Sequence, residues 1–267
     1  MKIKCFIFLI ISFFCYGEEA IKPDKLILYK KTSNANLYLH AFYPKEISNR
    51  DNLPTIVFFF GGGWISENKT QFYRQAKYLS TLGMAAFCAD YRVRSVHGVT
   101  PDQCVIDAKS AIRYIRKNKN QLCVNSNKII ASGGSAGGHL AASTATLSSF
   151  NDNKDDLTIS AIPNALILFN PLLNTSNIKR LGDLSKEISP FHHLTSNTPP
   201  TLIMHGTSDS IVSHNQAIEF HDKMRNFQNI SKLKLYEKMP HGFFNNKKYN
   251  QTLKETENFI RSLQWIE

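Results

Sequence analysis

Cysteine is scarce in this chain. Of the five in 267 residues, Cys5 and Cys15 lie in an apolar leader, and Cys88, Cys104 and Cys123 remain as an odd number. Cys104 and Cys123 bracket one expected helix, which sets them on the order of 25 Å apart at 1.5 Å per residue. A disulfide needs Cα atoms within about 7 Å, so those two cannot pair. No Cys-x-x-Cys spacing occurs, so neither a redox site nor a zinc site is indicated. Proline (10) and glycine (13) are not in excess, and no linker, repeat or low-complexity tract appears, which argues against disorder. Acidic residues are few, 21 against 32 Lys and Arg, for a formal net charge of +11. The basic residues are scattered, as at Lys30-Lys31, Lys117, Lys119 and Lys247-Lys248, and no block interleaves them with aromatics. A nucleic-acid partner is therefore not expected, and the charge reads as a solvated basic exterior with a weak bias toward anionic polymers or membranes.

Long apolar runs are also missing, apart from Cys5 to Phe14, broken only by Ser12 and preceded by Lys2 and Lys4. That run is too short for a comfortable membrane span. Small residues follow in Cys15-Tyr16-Gly17, so residues 1–17 are expected to be a cleavable secretory signal, with 18–267 as one catalytic domain. Loss of Lys2 and Lys4, with no acid lost, takes the charge from +11 to +9. The mature protein is expected to be secreted or periplasmic, without stable membrane insertion.

What the chain does contain is a G-x-S-x-G sequence, Gly133-Gly134-Ser135-Ala136-Gly137. Lys128-Ile129-Ile130-Ala131 before it reads as a buried strand, and Gly138-His139-Leu140-Ala141-Ala142 after it as a small-residue helix. In that context the five residues form a sharp strand-to-helix turn with Ser135, a candidate nucleophile, at its tip. Upstream, Thr55-Ile56-Val57-Phe58-Phe59-Phe60 suits a strand buried on both faces. Gly61-Gly62-Gly63-Trp64 follows at once. The backbone N–H groups of Gly62 and Gly63, with that of Ala136 after the nucleophile, are candidate oxyanion donors. Trp64 is expected near the rim of the pocket, as a substrate contact.

An acid and a base should follow the serine in that order. Thr201 to Met204 reads as a strand, and the loop after it carries Asp209. His241 lies in Pro240-His241-Gly242-Phe243, after the alternating strand Leu233 to Tyr236. Asp90, Asp107 and His205 compete for these roles. Asp90 is expected to pair with Arg92 or the nearby helix. Asp107 precedes the elbow, and His205 is expected to pack or bond locally. His192-His193 is a metal pair only superficially, since adjacent residues do not share a helix face. No metal or organic cofactor is expected.

The elbow, Gly-Gly-Gly-Trp, Ala89-Asp90-Tyr91-Arg92, His205-Gly206-x-x-Asp209 and His241-Gly242-Phe243 together resemble the α/β-hydrolase superfamily. Within it the chain is similar to the hormone-sensitive-lipase-like and acetyl-esterase branch, and to bacterial carbohydrate esterases. The likeness runs from about Leu26 to the C-terminus. One departure is Phe60, where that branch usually has a histidine before the glycines, which removes the usual side-chain support of the loop. The resemblance implies a serine ester hydrolase with Ser135, Asp209 and His241 as its triad, acting on small acyl esters, acetylated carbohydrate among them. A peptidase of the prolyl-oligopeptidase type and a non-enzymatic carbohydrate-binding or scaffold protein are the alternatives.

The order of elements agrees with an α/β class. Strands and helices alternate, which predicts a mostly parallel sheet of about eight strands flanked by helices. Leu26–Tyr29 and Asn36–Tyr43 read as an edge hairpin. Pro101 opens a helix with Val105, Ala108, Ile112 and Ile115 inward and Lys109, Arg113 and Arg116 expected to face water. The 29 residues from Pro171 to Pro199 are expected to form at most a small cover, and a shallow pocket at Ser135 follows from that.

Overall fold

The run Leu53–Phe59 lies at the centre of the molecule because every residue in it but Pro54 is buried. This is a computed structural model of the chain, describing residues 20–45 and 52–267; the leader expected over 1–17 lies outside the described residues. The strands are β1 (Lys25–Lys31), β2 (Asn36–Phe42), β3 (Leu53–Phe59), β4 (Ala85–Ala89), β5 (Val124–Gly134), β6 (Ala165–Phe169), β7 (Thr201–Gly206) and β8 (Ser231–Tyr236). They form one eight-stranded sheet in the order β1-β2-β4-β3-β5-β6-β7-β8. β2 runs against both its neighbours, and every pairing from β4 to β8 is parallel. Parallel strands need both faces covered, which explains why β4 and β6 are buried throughout.

The helices supply that cover. They are α1 (Tyr73–Thr81), α2 (Arg94–His97), α3 (Pro101–Lys117), α4 (Ala136–Thr146), α5 (Leu184–Glu187), α6 (Asn215–Asn226) and α7 (Tyr249–Ser262). Val105, Ala108 and Ile112 of α3, Leu140 of α4 and Phe220 of α6 pack on one face of the sheet. Ala76 and Leu79 of α1 and Phe259 and Ile260 of α7 pack on the other. Each large apolar side chain buried in this way stabilises by roughly 1.5–3 kcal/mol. The segment between β6 and β7 carries only α5 and two single 3-10 turns, Lys179–Leu181 and Pro190–His193. That is the small cover expected.

α3 departs from expectation on its polar side. Lys109 and Arg113 are buried and Arg116 is half-buried, whereas periodicity assigned all three to water. Lys109 Nζ donates to the carbonyls of Leu147 (2.8 Å) and Ser149 (2.5 Å), at the carboxyl end of α4. A cation there offsets the helix dipole and the unpaired carbonyls. Burial, and then Arg113 beside it, lowers the Lys109 pKa to about 8. Arg113 pairs with Asp155 (3.1 Å), and Arg116 donates to Ser126 O and Ile162 O. Their partners, on β5 and on the segment between α4 and β6, are ones that no periodicity along α3 can announce. Cys88, Cys104 and Cys123 are free thiols.

Candidate active site

Ser135 stands between the last residue of β5 and the first of α4, with φ 54° and ψ −120°. That strained turn is possible because the chain packs without Cβ atoms around it. A Cβ on Gly137 would lie 2.0 Å from Phe59 O, so helix and central strand could not approach as they do. The turn lifts Ser135 into a cavity of about 380 Å³, also lined by Gly61, Gly62, Gly63, Asn170 and His241.

The carboxylate and the imidazole meet in the loops after β7 and β8. His241 Nδ1 lies 2.7 Å from Asp209 Oδ2. A carboxylate only accepts, so Nδ1 carries the proton and Nε2 keeps its lone pair, the state a general base needs. Asp209 Oδ1 accepts the amides of Ile211 and Val212, both at 2.9 Å. His205, fully buried, places Nε2 at 3.1 Å from Asp209 Oδ2 and 3.0 Å from Val212 O. Burial alone raises the Asp209 pKa. The hydrogen bonds from His205, His241, Val212 and Ile211 outweigh it and hold the carboxyl far below the usual range.

Ser135 Oγ makes no hydrogen bond among the described residues. His241 Nε2 instead faces Asn170 Nδ2 at 3.4 Å, while Asn170 Oδ1 accepts the Gly242 amide at 3.0 Å. Asn170 follows β6 directly, is fully buried, and holds the loop that carries His241. Sequence reading missed it. A polar residue ending a fully apolar strand was the signal.

The glycine loop divides its amides between two uses. Gly61 N donates to Gln71 Oε1 at 2.7 Å. The amides of Gly62 and Gly63 donate no hydrogen bond among the described residues, and Ala136 begins α4, where an N–H has no partner within the helix. These three N–H groups are free to bind an anion. Gly62 has φ +132°, and a Cβ there would meet Ser66 O at 2.4 Å. The support lost with Phe60 comes from elsewhere. Phe60 stacks on Tyr91 (4.1 Å between centroids), Tyr91 Oη donates to Phe60 O at 2.8 Å, and Gln71 holds Gly61.

Trp64 is a correction. It is 2% exposed with φ 62°, packed edge-on against His139 at 4.9 Å, and is not at the rim of the Ser135 cavity. Its backbone turns the indole inward, to the wall of a neighbouring cavity. The competing acids lie elsewhere. Asp107 pairs with Lys30 (2.9 Å) and Arg92 (2.7 Å). Asp90 bonds His40 (3.1 Å), with Lys69 at 3.8 Å, rather than Arg92 or the nearby helix as expected; Asp107 occupies the Arg92 guanidinium. His192 bonds Ser189 Oγ at 2.9 Å. No cluster of possible metal ligands occurs among the described residues.

Residues 39–165 and 164–224 match the family profile BD-FAE. The chain is 26% identical to the esterase LipC of Mycobacterium tuberculosis over 64% of its own length and 48% of that protein's. It is 27% identical to an acetylxylan esterase of Xylanibacter ruminicola over 84% of its length and 48% of that protein's. The chain thus spans about half the length of these curated relatives. Among solved structures it is similar to the apo form of Thermogutta terrifontis esterase 2, with TM-score 0.89 and 39% identity, covering 93% of this chain and 97% of that one. The same esterase is also known phosphorylated by paraoxon; that structure is 41% identical over 91% of this chain and 95% of its own, with TM-score 0.87.

Proposed function

The chain belongs to the BD-FAE family of α/β-hydrolase-fold proteins, and from that premise we propose that it is a serine carboxylic-ester hydrolase acting on short acyl esters, acetyl above all. The observation that carries this reading is Ser135 on its strained elbow, in one cavity with His241 and the uncommitted amides of Gly62 and Gly63. Ser135 Oγ attacks the ester carbonyl and its proton passes to His241 Nε2. Asp209, fixed by four donors, holds the imidazole tautomer and stabilises the imidazolium. The amides of Gly62, Gly63 and Ala136 bind the oxyanion. Each such donor is worth roughly 2.7–4 kcal/mol to the transition state. Collapse expels the alcohol with the proton from His241, and water then cleaves the acyl-enzyme by the same steps in reverse.

A cavity of about 380 Å³, with only the four-residue α5 and two short turns between β6 and β7 to supply a cap, supports small acyl groups. The named activity of the Xylanibacter ruminicola relative supports acetylated polysaccharide as the natural substrate. Export, read from the leader, belongs to the same proposal and is tested by N-terminal sequencing of protein from the host. Activity is tested with 4-nitrophenyl acetate, butyrate and octanoate. Acetate and butyrate should be turned over with higher kcat/KM than octanoate, and paraoxon should label Ser135 alone. Labelling that persists in Ser135→Ala, or a preference for octanoate, would overturn the reading.

A further inference from the structure

Beside the Ser135 cavity lies a second one of about 340 Å³, and the two share Gly63. Trp64, Val99, Leu181 and Leu184 form its apolar wall, and Arg94 and Arg180 contribute its charge; no acidic residue lines it. Three arginines elsewhere are matched by carboxylates, Arg92 by Asp107, Arg113 by Asp155 and Arg261 by Glu257, while Arg74 lies over the Tyr249 ring and Arg116 donates to carbonyls. Arg94 and Arg180 have no carboxylate partner among the described residues. Arg180 lies over the Trp64 ring at 5.7 Å. Trp64 Nε1, in a side chain 2% exposed, has no hydrogen-bond acceptor. The cavity wall thus holds two guanidinium groups, donors only, with no carboxylate among its lining residues to accept from them.

The position ties this donor set to the chemistry. The Arg94 amide donates to Trp64 O at 2.9 Å and the Ser95 amide to Ile65 O at 3.0 Å. α2 is therefore fastened to the glycine loop one residue beyond Gly63. The two cavities meet at Gly63, in the loop proposed to bind the oxyanion. Guanidinium groups match carboxylates in shape as well as charge, through paired N–H donors. Apolar surface beneath them suits the face of a ring.

We infer that this second cavity binds a carboxylate carried on the alcohol portion of the ester, so that the preferred substrates are acetyl esters of acidic alcohols, such as uronic-acid units of a polysaccharide. The inference rests on the esterase reading above and deepens it. The carboxylate is assigned to the alcohol because an acetyl group has no room to carry one. The positive net charge, +11 for the whole chain and +9 without residues 1–17, supports the same class of polymer through long-range attraction.

The test compares 4-acetoxybenzoate, an anionic acetyl ester, with its neutral methyl ester, reading kcat/KM for both. The double variant Arg94→Gln, Arg180→Gln is the reference, since intrinsic ester reactivity cancels between the two proteins. Both residues are exposed, so the substitutions leave the core unchanged. The anionic-to-neutral ratio should fall about tenfold in the double variant, equivalent to about 1.4 kcal/mol. In the parent protein the ratio should also decline as salt is raised, because exposed charges are screened. Arg180→Lys, which keeps charge but not the planar fork, should fall between. A change of less than roughly threefold in the double variant, with the methyl ester still hydrolysed, overturns this inference alone. Failure of the parent protein to hydrolyse either ester overturns the esterase reading and this inference with it.

Discussion

Among the described residues, two groupings of a hydroxyl, an imidazole and a carboxylate invite comparison. One set is Ser135, His241 and Asp209; the other is Tyr73, His40 and Asp90. The second is the more completely bonded. His40 Nδ1 contacts Tyr73 Oη, His40 Nε2 lies 3.1 Å from Asp90 Oδ1, and Asp90 Oδ2 accepts the Tyr38 amide at 3.2 Å. In the first set the hydroxyl is not yet bonded to the imidazole. Yet Tyr73 is 8% exposed, packs on Phe42 at 5.1 Å, and has its phenol pushed up to about 12 by burial and then by Cys88 and Asp90. No glycine loop offers it free amides. A hydrogen-bonded string is thus insufficient for acyl transfer. The hydroxyl must also stand in a cavity, next to donors that wait for charge to develop.

The sharpest way to break this comparison is to delete each hydroxyl. Ser135→Ala should lower kcat on 4-nitrophenyl acetate by roughly 10⁴–10⁶-fold with Tm unchanged. Tyr73→Phe should leave kcat within about threefold and lower Tm, because His40 loses a buried partner. Comparable losses of kcat in both variants would mean that the second set takes part in the reaction.

The carboxylates come next. Asp209→Asn should lower kcat by about 10⁴-fold, since the amide no longer fixes the His241 tautomer. Asp90→Asn should instead act on folding, costing about 1–3 kcal/mol for the buried groups left poorly matched. Denaturant titration beside steady-state kinetics separates the two.

Gln71→Ala probes what replaces the missing loop histidine. Without its bond to the Gly61 amide, the loop should hold the Gly62 and Gly63 donors less well, lowering kcat by roughly 10–100-fold with a small change in KM. Gln71→Glu, which retains an acceptor, should recover most of it. Equal loss in both variants would show that the contact does not position the loop.

The smallest effect is alkaline. The Tyr73 phenol titrates near 12 in the folded chain against 10.0 unfolded. Its raised pKa contributes stability that is complete below pH 10 and lost as pH rises through 12. Tyr73→Phe should therefore flatten the decline of Tm between pH 10 and 12. An unchanged slope would place the titrating groups elsewhere, for example at Tyr43 and Tyr236, which burial also raises.

Much of the site's outline was already legible along the chain. Ser135, Asp209 and His241 each lie a few residues or less past the end of a strand, and apolar runs such as Thr55 to Phe59 mark such strands whatever they pair with. G-x-S-x-G could be read because its glycines answer a local steric demand, and strand and helix flank it in sequence. Local composition determines which segments are buried, where they break, and which residues stand at the breaks.

Partnership across space was not legible, and tertiary structure alone decided it. Lys109 has the spacing of a solvent-facing residue, but its acceptors are carbonyls 38 and 40 positions on. Trp64 follows three glycines, yet in the folded chain it has a positive φ and a buried indole packed against His139. Asn170 acquires its role from His241 and Gly242, 71 and 72 positions on, which only the assembled sheet brings beside it. The same holds for the two hydroxyl–imidazole–carboxylate sets. Residue types and chain order name the candidates, but packing decides which hydroxyl meets a cavity and which is sealed, because burial and hydrogen-bond geometry depend on neighbours distant in sequence.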